Sequence, residues 1–467
     1  MNLSQLLRKI VIPVTGCTEP TAVGLATSAA LTAFSGRIPC WITSSQEVTE
    51  HKQEVIGDIE SIPELVQDVL ILVDRNVYKN ALSVGIPNTG GKYGLSLAGS
   101  LGLFCNPDLG MNLFTDVNKE KITLAKRLIG DNKIKIATLK AKANELFIKA
   151  SVKIRVKSKI GTAKSLIRFY HNNFIFIEAD GKLLYEKYPG AKKEQGLKER
   201  FIEELSIEGK PISAFTVSEI YRLTKNLTEE DKQYILDGLR LNLEASKYGL
   251  EKGSGLGIGK FIRDSMQAAG PYEKKISRIK SLVAAASDAR MAGENVRMTS
   301  SSGSGNMGAL ITLSIYALAE ETGLNEKLLA EAITLAHLIT AYLTSYIGVL
   351  SPLCGSAAKG GIGAAAGMAY YMGADEAQVS KAMKNMISAL SGVICDGAKL
   401  SCALKVGEAA GVAYECASLA LKDIEVPFSD GIAGKNIEET INNLSQLSHA
   451  MDKADSAIIK LMSKKAF

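Results

Sequence analysis

Three cysteines in the C-terminal part of the chain lie in or beside two glycine-rich turns. Cys354 ends the run SPLC at 351–354, Cys395 precedes an Asp-Gly turn, and Cys402 follows seven residues later. A cysteine on a loop outside regular backbone hydrogen bonding can turn its sulfur toward a metal while nearby amides donate to that sulfur, as they do around iron–sulfur clusters. A spacing of seven would place Cys395 and Cys402 on one face of a helix, and a turn would bring them closer. Either way the pair can converge on a metal.

Two other interpretations of these cysteines stay open. Spacing alone favours three buried structural cysteines, since free cysteine is among the most buried residue types. Zinc is the rival metal, but the Cys-x-x-Cys pairs of structural zinc sites are absent, and none of the four histidines stands beside these cysteines. Three cysteines suit a cubane iron–sulfur cluster with one iron left open as a Lewis acid for a leaving thiol or hydroxyl.

A fourth cysteine stands at a predicted helix start, in GCTEP at 16–20. The positive end of a helix dipole lowers the pKa of a thiol, so Cys17 could act as a thiolate base. Glu19 supplies a possible proton acceptor and Thr18 a possible N-cap hydroxyl. A partly buried cysteine without chemistry is the alternative.

A serine-rich loop, SSSGSGNMG at 300–308, precedes another predicted helix. It contains a formal G-x-G-x-x-G, but ENVR at 294–297 is not an apolar strand and the region after it is helical, which disfavours a dinucleotide site. Hydroxyls and amides at a helix start form a good anion site, so we expect the loop to bind a substrate carboxylate. The candidate substrate-binding residues are Ser300, Ser301, Ser302, Gly303, Ser304 and Asn306, together with Lys359.

Lys359 and Lys399 also raise pyridoxal phosphate as an alternative cofactor, because a Schiff-base lysine can drive β-elimination. The region around them predicts helices and no strands that could build a phosphate-binding cup. Pairing with a substrate carboxylate or a nearby acid is the favoured role for either lysine.

The sequence patterns around these residues predict the helices and strands of a mainly α-helical α+β protein. Residues 1–120 read as an N-terminal segment that packs on the catalytic domain. Residues 121–195 contain β-rich runs and an Asp-Gly hairpin signal, which predict a small antiparallel-sheet α+β domain. Residues 196–467 predict a helical catalytic domain, and from residue 216 onward every element is expected to be a helix rich in small residues.

Composition narrows the possible partners and the compartment. The formal net charge of +6 is dispersed among acids, so no nucleic-acid partner is expected. The first residues lack a secretory pattern, and seven cysteines without one indicate a reducing, cytoplasmic location. Residues 332–358 carry no charged side chain, but glycines and a proline interrupt them. We therefore expect a buried helix that leads into a glycine-rich loop, and no membrane partner.

The motifs together resemble the L-cysteine desulfidase family, which is related to the α chain of the iron–sulfur L-serine dehydratases. GCTEP at 16–20, SSSGSGNMG at 300–308, SPLCGSAAKGG at 351–361 and ICDGAKLSCALK at 394–405 occur in the expected order and span nearly the whole chain. The resemblance implies an oxygen-sensitive 4Fe–4S lyase that converts L-cysteine and water to pyruvate, ammonia and hydrogen sulfide. It implies Cys354, Cys395 and Cys402 as cluster ligands and Cys17 as the proton acceptor.

One departure and two alternatives accompany the resemblance. Met307 stands where a polar Gln is expected after Asn306, so the preference among amino acids could differ. An L-serine dehydratase would use the same cluster. A non-catalytic redox or sulfide sensor would keep the cluster without turnover. We expect a homodimer that acts on a small amino acid.

Overall fold

The computed structural model describes residues 1–42, 58–139, 145–191, 194–266 and 270–465. The chain divides into two compact units, which we name by their main content. The helical unit comprises Met1–Val14, Phe201–Ala292 and Val296–Ile458. The sheet unit comprises Thr15–Arg200, Gly293–Asn295 and Ile459–Phe467.

Helices dominate the described residues, which confirms the prediction of a mainly α-helical α+β protein. The helices are α1 (Leu3–Ile10), α2 (Thr18–Thr32), α3 (Ile62–Leu65), α4 (Arg75–Ala81), α5 (Leu95–Gly102), α6 (Lys119–Gly130), α7 (Glu194–Glu203), α8 (Val217–Leu223), α9 (Glu229–Lys252), α10 (Ile258–Ser265), α11 (Pro271–Met291), α12 (Gly305–Thr322), α13 (Glu326–Ile347), α14 (Ile362–Tyr371), α15 (Glu376–Leu390), α16 (Cys402–Ala420), α17 (Ile437–Ala450) and α18 (Asp452–Met462). The strands are β1 (Pro13–Thr15), β2 (Val66–Val73), β3 (Ile134–Thr138), β4 (Phe147–Val156), β5 (Lys159–Arg168), β6 (Phe174–Ala179), β7 (Lys182–Glu186), β8 (Ser206–Ile207), β9 (Lys210–Pro211) and β10 (Arg297–Thr299).

The sheet unit is built on a six-stranded sheet in the order β3-β2-β4-β5-β6-β7. All its pairings are antiparallel except that of β2 with β3, so the sheet is mixed where an antiparallel one was expected. The predicted hairpin joins β6 to β7, and both turn residues, Asp180 and Gly181, have the positive φ that such a turn requires. The sheet also extends beyond residues 121–195, because β2 belongs to the segment before them. The domain boundaries at 120 and 195 stay predictions.

Helix α2 packs on β4, β5 and α5 of the same unit. Its residues are small and almost all buried, so it has no polar face. The backbones of α2 and α5 touch, since a Cβ at Gly102 would lie 2.1 Å from the carbonyl oxygen of Gly24. Along β4 the buried side chains alternate with more exposed ones, which presents one apolar face of the sheet to α2.

The helical unit packs α11 against α9, α12 and α16, and packs α14 against α13, α15 and α16. Small residues allow the close approach that the sequence predicts. A Cβ at Gly363 or Gly367 of α14 would lie 2.6 or 2.8 Å from a backbone carbonyl of α13. Strand β10 is an exception to the prediction that every element after residue 216 is helical.

Helix α13 is long and apolar enough to cross a membrane, but 89% of its most apolar window is buried inside the protein. Such burial is typical of a core helix, and it confirms the prediction of a buried helix in the uncharged stretch. The helix ends at Ile347 and Gly348, and the chain then runs through the loop that carries Cys354.

Candidate active site

A short backbone bridge places Cys354 beside Cys395. Leu353 and Ile394 form an isolated antiparallel bridge. The Cys354 N–H donates to the Val393 carbonyl at 2.8 Å, and the Cys395 N–H donates to the Pro352 carbonyl at 2.7 Å. The two glycine-rich turns are therefore tied together at the two cysteines, although 41 residues separate them in sequence.

Cys402 is the first residue of α16, and its thiol shares the electrostatic environment of the other two. The pKa of the Cys402 thiol is raised to about 11, mainly by burial; Lys399 acts to lower it, and the charges of Cys354 and Cys395 act to raise it. Burial also raises the pKa of Cys354, again with a contribution from Cys395. The helix start would favour a thiolate at Cys402, but burial outweighs it. The charges of Cys354 and Cys395 both act on the Cys402 thiol, so the three thiols lie within electrostatic range of one another.

The backbone amides that follow Cys354 lie close enough to influence its thiol. The chain after Cys354 forms a π-helical turn, Ser356–Gly361. The backbone N–H groups of Ser356 and Ala357 act to lower the pKa of the Cys354 thiol, although burial keeps that pKa raised. Amides that donate to a ligand sulfur stabilise its negative charge, and π-helical turns are frequent at functional sites.

Three cysteine thiols are donors of the type that an iron–sulfur cluster takes. Within the described part of the chain, no three His, Cys, Asp or Glu side chains lie close enough together to share one metal ion. Each thiolate of a cubane binds a different iron, so its ligand sulfurs stand farther apart than those around one zinc ion. Thiols that oppose one another's ionisation also need a strong positive charge among them before they can all bind as thiolates.

Hydrogen bonds from two lysines to an aspartate stabilise the turn between Cys395 and Cys402. Burial alone would raise the pKa of the Asp396 carboxyl, but hydrogen bonds from Lys399 and Lys405 lower it to about 2. Lys405 Nζ lies 2.6 Å from Asp396 Oδ1 and 2.8 Å from the Ile394 carbonyl oxygen. Lys399 thus pairs with a nearby acid, one of the two roles expected for it.

The serine-rich loop of the helical unit folds as a tight reversal before α12. Ser301 and Ser304 bridge each other through two backbone hydrogen bonds of 3.0 Å, and Ser302 and Gly303 between them both have positive φ. The Ser304 hydroxyl accepts from the Met307 N–H and caps the helix. The loop is anchored from outside, since Ser302 donates its N–H to the Ile10 carbonyl at 2.7 Å.

The Ser302 hydroxyl is the clearest ligand-binding feature of this loop. It is fully buried and has no hydrogen-bond partner among the described residues. A buried, unsatisfied hydroxyl beside a helix N-terminus is suited to an anion, because both groups donate hydrogen bonds.

Two polar side chains beside this loop were not predicted from the sequence. Arg290, which is buried, donates from Nη1 to Asn306 Oδ1 at 3.1 Å, and its Nε lies 2.6 Å from where a Gly305 Cβ would stand. His337 on α13 lies 2.9 Å from the Ser301 hydroxyl through Nδ1, and burial lowers the pKa of its imidazole to about 3. The loop therefore has a permanent cation and a neutral imidazole beside it. In the sequence, only the residue types, an arginine and a histidine, could have marked them as candidate site residues, because neither stands next to a motif.

Met307 connects the serine-rich loop to the Cys354 segment. Its side chain is buried, and a Cβ at Gly360 or Gly355 would lie 3.0 Å from its Cγ or 3.5 Å from its Sδ. The predicted substrate-binding loop and a predicted cluster ligand are thus neighbours within the helical unit. Met307 fills this contact with apolar atoms where the resemblance in sequence motifs predicted a polar side chain.

Lys359 is buried in the same segment. Its Nζ donates to the Gly348 and Val349 carbonyls, at 2.7 and 2.9 Å. Those carbonyls follow the end of α13, where a positive charge is stabilising. A contact between Lys359 and substrate stays a prediction.

Cys17 lies in the sheet unit, at the N-cap position of α2. The prediction of a cysteine at a helix start is confirmed, but Thr18 is not the N-cap: it is the first helical residue, and its hydroxyl donates to Glu19 Oε2 at 3.3 Å. The turn before it requires glycine, because Gly16 has a φ of +70° and a Cβ there would lie 2.4 Å from Pro87 Cγ. Cys17 is 2% exposed, and its Sγ lies 3.5 Å from Glu19 Oε2.

Comparison with known proteins places this arrangement in a family. Residues 109–460 match the family described as the serine dehydratase alpha chain. The chain belongs to the serine dehydratase alpha-chain family. Membership indicates a lyase of the serine dehydratase type, in a family generally associated with iron–sulfur clusters.

Similar proteins extend over the full chain. A UPF0597 protein of Caldanaerobacter subterraneus subsp. tengcongensis is 34% identical over 465 residues, covering 99% of this chain and 98% of that protein. One from Clostridioides difficile is 32% identical, with 98% of each chain covered. One from Desulfatibacillum aliphaticivorans is 34% identical, covering 100% of this chain and 99% of that protein.

Proposed function

We propose that this family member is an iron–sulfur L-cysteine lyase, with a 4Fe–4S cluster held by Cys354, Cys395 and Cys402. The observation that supports the proposal is the backbone bridge that holds Cys354 beside Cys395, in a segment that contacts Met307 after the serine-rich loop. Three protein ligands leave one iron of a cubane for substrate. When bound, the cluster supplies a Lewis acid that stabilises the leaving sulfur.

The residues around the loop are suited to hold the substrate carboxylate. Ser302 offers a buried hydroxyl, the N-terminus of α12 offers backbone N–H groups, and Arg290 offers a guanidinium that stays protonated. Burial excludes water from these groups, which strengthens each interaction with an anion. Ser300, Ser301, Gly303, Ser304 and Asn306 shape the loop.

Cys17 is proposed as the group that removes the Cα proton of the substrate. The S–H bond forms on Cys17 as the Cα–H bond breaks, and loss of sulfide leaves 2-aminoacrylate. Hydrolysis of that product gives pyruvate and ammonia without further catalysis. The role of Cys17 rests on the resemblance and on its place at a helix start.

L-Serine dehydratase is the second candidate, and the family description favours it. The same residues would bind serine, and hydroxide would leave in place of hydrosulfide. Met307 is relevant to the choice between cysteine and serine, because its thioether gives the site an apolar neighbour where the resemblance in sequence motifs predicted an amide.

The test is an anaerobic assay of the iron-reconstituted protein with L-cysteine and L-serine in parallel. We expect pyruvate, ammonia and sulfide in equal amounts from L-cysteine, with a higher kcat/KM than for L-serine. A higher kcat/KM for L-serine would show that the protein is an L-serine dehydratase and not an L-cysteine desulfidase. Full cluster occupancy without pyruvate from either amino acid would contradict both. A homodimer and a cytoplasmic location stay predictions.

A further inference from the structure

A buried polar cluster surrounds Cys17 in the sheet unit. The Cys17 thiol donates to Glu19 Oε2 at 3.5 Å, and the Thr18 hydroxyl donates to the same oxygen at 3.3 Å. Both contacts are buried. One carboxylate oxygen of Glu19 is therefore the acceptor for the thiol proton.

The other oxygen of Glu19 faces an amide and an imidazole. Asn80 Nδ2, on α4, donates to Glu19 Oε1 at 2.9 Å. His171 Nε2, in the turn between β5 and β6, lies 3.9 Å from the same oxygen. His171 is 3% exposed, and neither of its ring nitrogens has a hydrogen-bond partner among the described residues.

Two other ionisable residues, Asp74 and Lys79, lie near this cluster. Asp74 caps α4 by accepting from Asn76 and Val77, and it interacts electrostatically with His171. Lys79 precedes Asn80 on the same helix and is fully buried. A buried imidazole whose two ring nitrogens both lack a hydrogen-bond partner among the described residues is unusual, because buried polar groups are normally hydrogen-bonded.

The position of Glu19 limits how a thiolate can form at Cys17. A carboxylate that accepts the S–H bond stabilises the thiol, and a like charge at this distance disfavours the thiolate. Loss of the thiol proton to solvent would leave two negative charges side by side in a buried site. Transfer of that proton to Glu19 breaks the S–H bond, forms an O–H bond at Oε2 and leaves the net charge unchanged.

We infer that Glu19 accepts the Cys17 proton and that His171 is a positioning residue at the other Glu19 oxygen. The inference rests on the proposed function, in which Cys17 removes the Cα proton. Cys17 and Glu19 then act as one base that shares a single proton in its active form. After the Cα proton has moved to Cys17, Glu19 returns its own proton to water and becomes a carboxylate again.

Two substitutions at Glu19 separate this role from a structural one. Glu19→Gln keeps the shape and the oxygen that Asn80 bonds, but it cannot accept a proton. Glu19→Asp keeps the carboxylate and shortens the side chain. We expect kcat with L-cysteine to fall at least 100-fold in Glu19→Gln, and less in Glu19→Asp. A structural role would give the reverse order, and Glu19→Gln with wild-type kcat would overturn the inference.

A second readout does not depend on turnover. The rate at which iodoacetamide alkylates Cys17 in the full-length protein is followed against pH by mass spectrometry of the Cys17 peptide. In the wild type, proton transfer from Cys17 to Glu19 should leave a slow alkylation rate that does not change with pH below the thiol pKa, and Glu19→Gln should lose this pH-independent component. Equal profiles in the two proteins would overturn the proton link.

Controls keep the two proposals distinguishable. Glu178→Gln on β6 removes a carboxylate that pairs with Lys164 elsewhere in the same unit, and it should change neither readout. If the wild-type protein forms no pyruvate, the proposed function fails, and the alkylation profiles still test Glu19. For His171→Gln we expect kcat to fall at least about tenfold with KM unchanged. An unchanged kcat would remove His171 from the inference.

Discussion

The close contact between Gly308 and strand β10 sets the position of the serine-rich loop. Adding one methyl group at this position, in Gly308→Ala, tests that role. A Cβ at Gly308 would lie 1.9 Å from the Thr299 carbonyl oxygen, 2.8 Å from the Thr299 carbonyl carbon and 2.9 Å from the Ser300 carbonyl carbon. All three are backbone atoms, so no change of rotamer can relieve the overlap. Ordinary contact begins at 3.4 Å, which leaves the methyl group about 1.5 Å too close.

Gly308→Ala must therefore displace either α12 or the chain at 299–300, which leads into the loop. Overpacking of this kind costs about 1–3 kcal/mol of unfolding free energy. A misplacement of about 1 Å in a substrate-positioning element can lower turnover about 100-fold. We expect both effects together: a lower denaturation midpoint, and a kcat/KM for L-cysteine about 100-fold below that of the wild type.

The assay pairs thermal or urea unfolding with pyruvate production by the reconstituted protein. Gly130→Ala is the matched control, because a Cβ there would meet nothing within 4 Å and the backbone φ is not positive. That variant should keep wild-type stability and activity. If Gly308→Ala keeps kcat/KM within about twofold of the wild type, the close contact does not position the loop and the reasoning is refuted.

Three further outcomes follow from the site. The Cys354→Ser variant should lose most of the iron that the wild type retains after reconstitution. The control is Cys416→Ser, which changes a buried cysteine of α16 outside the group of three and should retain its iron. The measurement is iron analysis after gel filtration. His337 has a folded pKa of about 3 against about 6.5 when unfolded, so its contribution to stability is present above pH 6.5 and is lost as pH falls, by up to about 1.4 kcal/mol per pH unit. Urea unfolding between pH 7 and 4.5 should therefore show a steeper loss in the wild type than in His337→Asn, and equal slopes would contradict this. Lys359→Met should lower unfolding free energy by about 1–3 kcal/mol, because two carbonyls after α13 lose their donor; a raised KM with unchanged stability would instead support a contact with substrate.

The sequence predicted the candidate site best where chemistry depends on local turns. Cys354 and Cys395 stand in glycine-rich turns whose loop character is visible in the residues, and Cys17 precedes a helix start marked by Pro20. The bridge between Leu353 and Ile394 could not be predicted, because pairing across such a separation depends on how the intervening helices pack.

The residues that sequence reasoning missed act through tertiary contacts. Arg290, His337 and His171 reach the site or the Cys17 cluster from elements far away in sequence, and none belongs to a motif. The mixed sheet was missed for a similar reason. Strand β2 enters the middle of the sheet from outside the β-rich region and pairs in parallel with β3.

Mössbauer spectroscopy of the protein reconstituted anaerobically with ⁵⁷Fe tests the central claim most directly. Three cysteine ligands predict a 4Fe–4S cluster in which one iron differs from the other three, and L-cysteine should change the signal of that iron alone. Loss of the cluster in Cys402→Ser would support Cys354, Cys395 and Cys402 as its ligands. A spectrum without a cluster, or one with four equivalent irons that L-cysteine leaves unchanged, would contradict the account.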